Sequence, residues 1–160
     1  MNLKHIETRE IPEMLRLNNN EVPHVNELDE KVLNELINEA AFARVMADEY
    51  AIAGFVIGFE KGASYEGYNY NWFSQRLKQF LYIDRIIVNP QYRGKKLGNQ
   101  LYDAAQSHCV SRHLDNLCCE VNDEPPNPAS HAFHLQFGFK KLESILHPAG
   151  KTVCMYNKEI

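Results

Sequence analysis

The chain of 160 residues lacks the features that mark several common protein classes. Its four cysteines form no Cys-x-x-Cys pair and no spacing typical of a zinc site, so we expect free thiols and no bound metal. No apolar run is long enough to span a bilayer, and the first residues contain no signal-peptide core. Acidic residues outnumber basic ones by 21 to 17, so nothing favours nucleic acid or an anionic membrane as a partner.

Repeats, low-complexity tracts and linkers are also missing from the sequence. A chain of this length suits one domain, so we predict a single domain over residues 1–160. The hydrophobic fraction of 44% is ordinary and sufficient for a core. Unpaired thiols are usual in a reducing compartment, which favours the cytoplasm. Composition leaves the oligomeric state open, a homodimer included.

The most informative stretch of the sequence runs from Phe80 to His113. Phe80 to Val88 is dense in β-branched and aromatic residues, which predicts a strand buried on both faces. Asn89-Pro90 ends the strand, since proline has no N–H to give to a ladder. A basic, glycine-containing turn follows, and from Leu97 onward apolar residues recur at helical spacing. The first amides of a helix lack internal partners and its dipole adds about half a positive charge there, so we expect a phosphate or pyrophosphate site.

The segment from Val88 to Gly98, with sequence VNPQYRGKKLG, resembles the acyl-CoA loop of the GNAT N-acyltransferase superfamily. That family's pattern is Arg or Gln, two residues, Gly, one residue, then Gly or Ala. Arg93 and Gly98 match its ends, and Lys96 stands in place of the middle glycine. A lysine fits there if the backbone is already helical and the side chain points outward. In the family this loop holds the CoA pyrophosphate and the preceding strand lies along the pantetheine arm. The resemblance therefore assigns cofactor contacts to Ile86, Ile87, Val88, Arg93, Gly94, Lys95, Lys96, Leu97 and Gly98.

A short predicted helix opened by Asn127-Pro128 carries a second part of the resemblance. Asn127, Ser130 and His134 share one face of that helix, and the resemblance adds all three to the cofactor contacts. The family often has a tyrosine at the position of His134, where it protonates the CoA sulfur. Because histidine has an ordinary pKa near 6.5, we hypothesise that His134 is the general acid. The alternative is a histidine that only bonds its neighbours. His131, on the next face, is expected to be exposed.

Two carboxylates are candidates for the general base. In the family's fold the two central strands diverge, and their facing edges line the cleft. Glu120, in the later of these strands, is the leading candidate to take a proton from the acceptor ammonium, and Asp84 in the earlier strand is second. The alternative for both is a structural ion pair, for example between Asp84 and an arginine.

The first predicted element is a short strand over Leu3–Thr8, and the full order of predicted elements is β, α, α, β, β, β, α, β, α, β, β. This order predicts a mixed α/β fold, with a central mixed sheet of six to seven strands and helices on both faces. It is also the order of the GNAT fold. Residues 61–76 are predicted to form a loop rich in aromatics, which gives two alternatives. Either its side chains clamp the loop onto the domain, or they meet the acceptor, in which case the contacts are Tyr70, Trp72, Phe73 and, from the neighbouring strand, Asp84.

The leading functional prediction is an acyl-CoA-dependent N-acyltransferase, most simply an acetyltransferase. Acetyl-CoA would be the co-substrate, and an amine would attack the thioester directly. A catalytically inactive CoA-binding sensor or interaction module of the same fold is the main alternative, motivated by Lys96 and His134. A nucleotide-binding α/β domain is a third.

Overall fold

The computed structural model describes residues 1–160 as one seven-stranded sheet with five α-helices. The strands are β1 (Asn2–Lys4), β2 (Phe42–Ala47), β3 (Ile52–Glu60), β4 (Phe80–Val88), β5 (Asn116–Glu124), β6 (Lys140–Leu146) and β7 (Thr152–Glu159). The helices are α1 (Ile11–Asn19), α2 (Glu30–Glu39), α3 (Tyr68–Ser74), α4 (Leu97–Ser111) and α5 (Pro128–Phe137). Short 3-10 turns lie at Thr8–Glu10 and Pro90–Tyr92. None of the helices combines the length and apolar character needed to cross a bilayer.

The strands follow the order β1-β2-β3-β4-β5-β7-β6 across the sheet. Only the central pair, β4 and β5, is parallel, and every other neighbouring pair is antiparallel. One apolar core lies on the face covered by α1, α2 and α3, and the other lies under α4 and α5. The prediction of a mixed sheet with helices on both faces is therefore confirmed.

Two local predictions were wrong. The segment predicted as a loop over residues 61–76 contains α3, because Tyr70 and Phe73 lie three positions apart on one helical face and both are buried in the core. The first strand is shorter than the Leu3–Thr8 segment predicted for it. It ends at Lys4, and the chain then turns so that the side chain of Glu10 accepts a hydrogen bond from the backbone N–H of Glu7.

The parallel pairing of β4 and β5 is brief, and this opens the centre of the sheet. Phe80–Tyr82 of β4 pair with Asn116–Cys118 of β5, and the two strands make no further ladder with each other. Beyond that point β4 stays attached to β3, and β5 stays attached to β7. A gap therefore widens between residues 83–88 and residues 119–124.

Candidate active site

The turn between β4 and α4 presents a series of amides without partners. Asn89 ends β4 by donating from Nδ2 to the carbonyl of Ile52, and its Oδ1 accepts from the N–H of Gln91. The amides of residues 94–96 donate to no group in the protein, and the first hydrogen bond of α4 runs from Gln100 to Lys96. The amides of residues 94–99 thus converge at a helix N-terminus, an arrangement that binds anions.

Lys96 does not have the helical backbone expected for a lysine at this position. Its φ of 58° and ψ of 25° are left-handed, and Gly94 two residues earlier has φ 79°. The chain needs these two positive φ angles to reverse between the 3-10 turn and α4. The Lys96 side chain is exposed, so the expected outward direction agrees with the structure. A non-glycine residue in this conformation carries a backbone cost of about 1–2 kcal/mol.

Two contacts fix the surroundings of this turn. The guanidinium of Arg93 donates to Glu21 at 2.7 Å, which joins the turn to the loop between α1 and α2. A Cβ added at Gly98 would lie 2.8 Å from the ring of Phe133, so glycine lets α5 pack closely over the start of α4. Lys95 extends over the ring of Tyr92. The turn thus carries three basic side chains around the free amides.

The end of β4 directs main-chain groups into the gap. In an antiparallel ladder the main-chain groups point alternately to the two sides of a strand. The N–H of Asn89 donates to Ala53 of β3 at 2.9 Å, so the main chain of Ile87 also faces β3. The main-chain groups of Ile86 and Val88 consequently face the gap. A cleft of about 1000 Å³ extends from the basic turn into this gap and continues toward Glu120 on β5.

Glu120 is a half-buried carboxylate on the far side of the gap. It accepts a hydrogen bond from the phenol of Tyr82 at 2.7 Å. Loss of contact with water, together with the nearby carboxylate of Asp84, raises the pKa of Glu120 to about 7. Hydrogen bonds from Tyr82 and Asn69 oppose the rise. A carboxylate that titrates near neutral pH is suited to accept a proton.

Asp84 is instead committed to a structural ion pair. Its carboxylate accepts from Nε of Arg85 and from the phenol of Tyr65, both at 2.6 Å. Both partners of the ion pair are buried, with side-chain exposures of 6% for Asp84 and 4% for Arg85. This geometry is the alternative considered for Asp84, and it makes Glu120 the better-placed base.

The environment of His134 does not fit the predicted acid role. Its Nδ1 lies 2.7 Å from the carbonyl of Ser130, which can only accept, so Nδ1 carries the proton. Nε2 then accepts from the phenol of Tyr102 at 2.7 Å. Burial lowers the pKa of His134 to about 4, so the ring is neutral at pH 7 and Nε2 has no proton to donate. Sequence reasoning missed Tyr102, although it lies next to Leu101 on the apolar face of α4.

The other residues in and before α5 with a predicted role or exposure are Asn127, Ser130 and His131. Asn127 precedes the helix and Ser130 lies in its first turn, and both line the cleft. The expectation that His131 is exposed was wrong. Its ring is half-buried, with Nδ1 at 2.6 Å from the phenol of Tyr156 and Nε2 at 3.1 Å from the carbonyl of Asn122. His131 thereby joins α5 to the central sheet.

The aromatic residues proposed for the acceptor do not line the cleft. Tyr70 and Phe73 are core residues, and Trp72 packs against the core with the guanidinium of Arg76 3.9 Å from its ring centroid. These three residues therefore clamp the segment onto the domain, whereas Tyr65, Tyr68 and Asn69 of the same segment line the cleft. Further residues that line the cleft away from the basic turn are His24, Val25, Asn26, His147 and Lys151.

Free amides at a helix N-terminus, an open gap and a carboxylate with a raised pKa therefore share one cleft. A comparison with known families matches residues 9–139 to the acetyltransferase (GNAT) family. The chain therefore belongs to the GNAT acetyltransferase family, whose reaction is transfer of an acetyl group to an amine. No curated protein matches the chain in sequence.

Solved structures agree on the fold. Ard1 from Thermoplasma volcanium has a TM-score of 0.78 at 15% identity, covering 99% of this chain and 97% of that one. The ribosomal-protein-alanine N-acetyltransferase of Brucella melitensis has a TM-score of 0.74 at 16% identity, with both chains fully covered. Naa50 of Arabidopsis thaliana, in complex with the bisubstrate analogue CoA-Ac-MVNAL, has a TM-score of 0.74 at 16% identity, covering 99% and 98%. At these identities the likeness concerns the fold alone.

Proposed function

We propose that this protein transfers an acetyl group from acetyl-CoA to the α-amine of a peptide or protein. The observation that carries the proposal is the juxtaposition of two features in one cleft. Free amides of residues 94–99 lie at one end of the gap, and the carboxylate of Glu120 lies at the other. A diphosphate held at the first feature would direct an attached thioester toward the second.

The donor half of the cleft fits CoA. The amides of residues 94–99 and the dipole of α4 match a diphosphate, and Arg93, Lys95 and Lys96 add positive charge. Ile86 and Val88 offer main-chain groups along the gap, and we assign them to the pantetheine arm and the acyl carbonyl. When bound, acetyl-CoA supplies an acetyl group already activated as a thioester. One preorganised N–H donor to the developing oxyanion is worth about 3–4 kcal/mol in other enzymes.

The acceptor half of the cleft supplies the base. Glu120, with a pKa of about 7, takes the proton of the ammonium, directly or through a water, and the neutral amine attacks the thioester carbon. The C–N bond forms as the C–S bond breaks. The neutral amine then loses one proton and the leaving thiolate gains one, while the proton taken up by Glu120 is released to water, so no other reactant is needed. Holding both reactants in the gap can contribute roughly 7–11 kcal/mol, more than the acid–base step.

The lower pKa of an α-ammonium makes an α-amine easier for Glu120 to deprotonate than a lysine side chain. An α-ammonium has a pKa of about 7.7–8.0 and a lysine about 10.4. Transfer of the proton to a carboxylate with a pKa of about 7 is therefore unfavourable by about one pKa unit for the α-amine and by more than three pKa units for lysine. The difference corresponds to roughly 3 kcal/mol. The bisubstrate analogue bound to Naa50, which joins CoA to a peptide, is consistent with an acceptor of this kind.

The competing proposal is a CoA-binding module without activity. Lys96 and His134 motivated that alternative, but the cleft is open beside both residues: Lys96 is exposed at its edge, and His134 is paired with Tyr102. Removing the Glu120 carboxylate from water costs free energy, and a module that only binds CoA would gain nothing from such a group. The presence of this carboxylate in the gap therefore supports an enzyme over a binding module.

Thiol release from acetyl-CoA tests the proposal. The panel consists of short peptides with a free α-amine, the same peptides blocked at the N-terminus, and blocked peptides that contain lysine. We expect release with free α-amines, little with blocked lysine peptides, and a large loss in Glu120→Gln. Acetyl-CoA binding by calorimetry without thiol release on any peptide would support the inactive module.

A further inference from the structure

The loop between α1 and α2, residues 20–29, crosses the mouth of the gap between the diverging strands. On the β5 side, Nδ2 of Asn122 donates to the carbonyl of Pro23 at 3.2 Å. On the β4 side, Nη2 of Arg85 donates to Oδ1 of Asn26 at 3.0 Å. The loop is therefore attached to both strands at the place where they separate, and Glu21, His24, Val25 and Asn26 line the cleft there.

Arg85 joins three parts of this region with one side chain. Besides Asn26, its Nη1 donates to Oδ1 of Asn18 in α1 at 2.7 Å, and its Nε donates to Asp84 at 2.6 Å. Arg85 is 6% exposed, so these bonds are shielded from water. Because a guanidinium is planar and presents its donors in a fixed fork, it sets the relative positions of all three partners.

We propose that Arg85 is a positioning residue for the acceptor: it holds the α1–α2 loop over the gap and fixes the Asp84 carboxylate beside Glu120. This proposal rests on the proposed function. The loop and Tyr65, which bonds Asp84, both line the acceptor side of the cleft. A shift of Arg85 would therefore move two walls of the acceptor site. The CoA turn meets the loop through the exposed Arg93–Glu21 pair, but it keeps its own contacts at Asn89 and Gly98 and should move less.

The charge of Arg85 has a second, separable effect. The groups that face Glu120 are Tyr82 and Asp84 from β4, Asn69 from α3, Tyr65, and Lys151 from the loop between β6 and β7. Among them Asp84 opposes ionisation of Glu120, and Arg85 is the cation bonded to Asp84. Loss of the Arg85 charge leaves the Asp84 carboxylate uncompensated. Ionisation of Glu120, and with it the acidic limb of the rate profile, then moves to higher pH.

Three variants separate these two effects. Asn26→Ala removes only the bond to the loop and leaves the buried ion pair intact. Arg85→Lys keeps the charge but loses the fork, and Arg85→Gln loses both. The measurement is steady-state kinetics with acetyl-CoA and the most active α-amine peptide of the panel, as a function of pH, with circular dichroism melts to follow folding.

For Asn26→Ala and Arg85→Lys we expect an acceptor KM raised by roughly ten- to a hundredfold and an acetyl-CoA KM within about twofold of wild type. Neither should move the acidic limb, whereas Arg85→Gln, if it folds, should move it to higher pH. An unchanged acceptor KM in Asn26→Ala would overturn the proposal, even if both Arg85 variants fail to fold. Equal increases in both KM values would also overturn it. Failure of the proposed function gives a different result, because wild-type protein would then release no thiol with any peptide.

Discussion

Replacing Lys96 with glycine should stabilise the fold and weaken acetyl-CoA binding at the same time. Lys96 has φ 58° and ψ 25°, a left-handed conformation that costs a residue with a Cβ about 1–2 kcal/mol. Glycine removes that cost but gains about 0.5–1 kcal/mol of conformational freedom in the unfolded chain. The net stabilisation is therefore about 0.5–1 kcal/mol. For a chain of this length that corresponds to a rise in Tm of roughly 1–4 °C.

The same substitution removes one positive charge beside the free amides. The Lys96 side chain is exposed and its charge is screened by water, so it is worth about 0.2–1 kcal/mol toward a bound anion. We expect the Kd for acetyl-CoA to rise by a factor of about 1.4 to 5, since 1.4 kcal/mol is a factor of ten.

The matched control is Lys96→Ala, which removes the same charge and keeps the Cβ. Differential scanning calorimetry and titration calorimetry measure the two effects in each variant. Lys96→Ala should lose affinity as Lys96→Gly does, but should show no rise in Tm. Equal Tm values for the two variants would refute the argument from the left-handed backbone. Unchanged affinity in both would refute the role of the charge.

Four further predictions concern the cleft. Glu120→Gln should abolish the rise of rate with pH near 7. Because folding raises the pKa of Glu120 from about 4.5 to about 7, its ionisation destabilises the fold as pH rises through this window. The variant should therefore be more stable than wild type by up to roughly 3 kcal/mol at pH 8 but not at pH 4 in denaturant titrations. His134→Ala should leave the pH–rate profile above pH 5 unchanged, and loss of a limb of that profile near pH 6.5 would restore the acid role of His134. Tyr102→Phe should lower the free energy of unfolding by about 1–3 kcal/mol, because Nε2 of His134 loses its hydrogen-bond donor. Gly98→Ala should raise the acetyl-CoA KM, since its Cβ displaces the ring of Phe133, and an unchanged KM would contradict that packing.

The parts of the fold that are determined by residues close together in the sequence could be predicted from it. The strand, basic turn and helix around Arg93 follow from local patterns, namely an apolar run, a proline stop and helical periodicity. Asn127-Pro128 begins α5 as predicted, and Gly138 ends it. The diverging pair of central strands was expected from the family resemblance, and the short β4–β5 ladder agrees with it.

The chemistry of individual side chains depended on contacts between distant residues and could not be read from local pattern. The state of His134 is set by Tyr102, 32 positions earlier in the chain. Asp84 accepts from Tyr65, 19 positions earlier, and its ion-pair partner Arg85 reaches Asn18 across 67 positions. The left-handed backbone of Lys96 could not be predicted either, because lysine rarely adopts positive φ angles.

The most direct test of the account is an amide ¹H–¹⁵N NMR titration of the labelled protein with acetyl-CoA. The free amides of residues 94–99 and the main-chain groups of Ile86 and Val88 are the proposed contacts. We predict that the largest shift changes fall on these amides, with Gly94 and Gly98 among them, while Gly62, which does not line the cleft, stays unchanged. Saturating acetyl-CoA that leaves residues 94–99 unshifted would contradict the claim that this turn holds the donor.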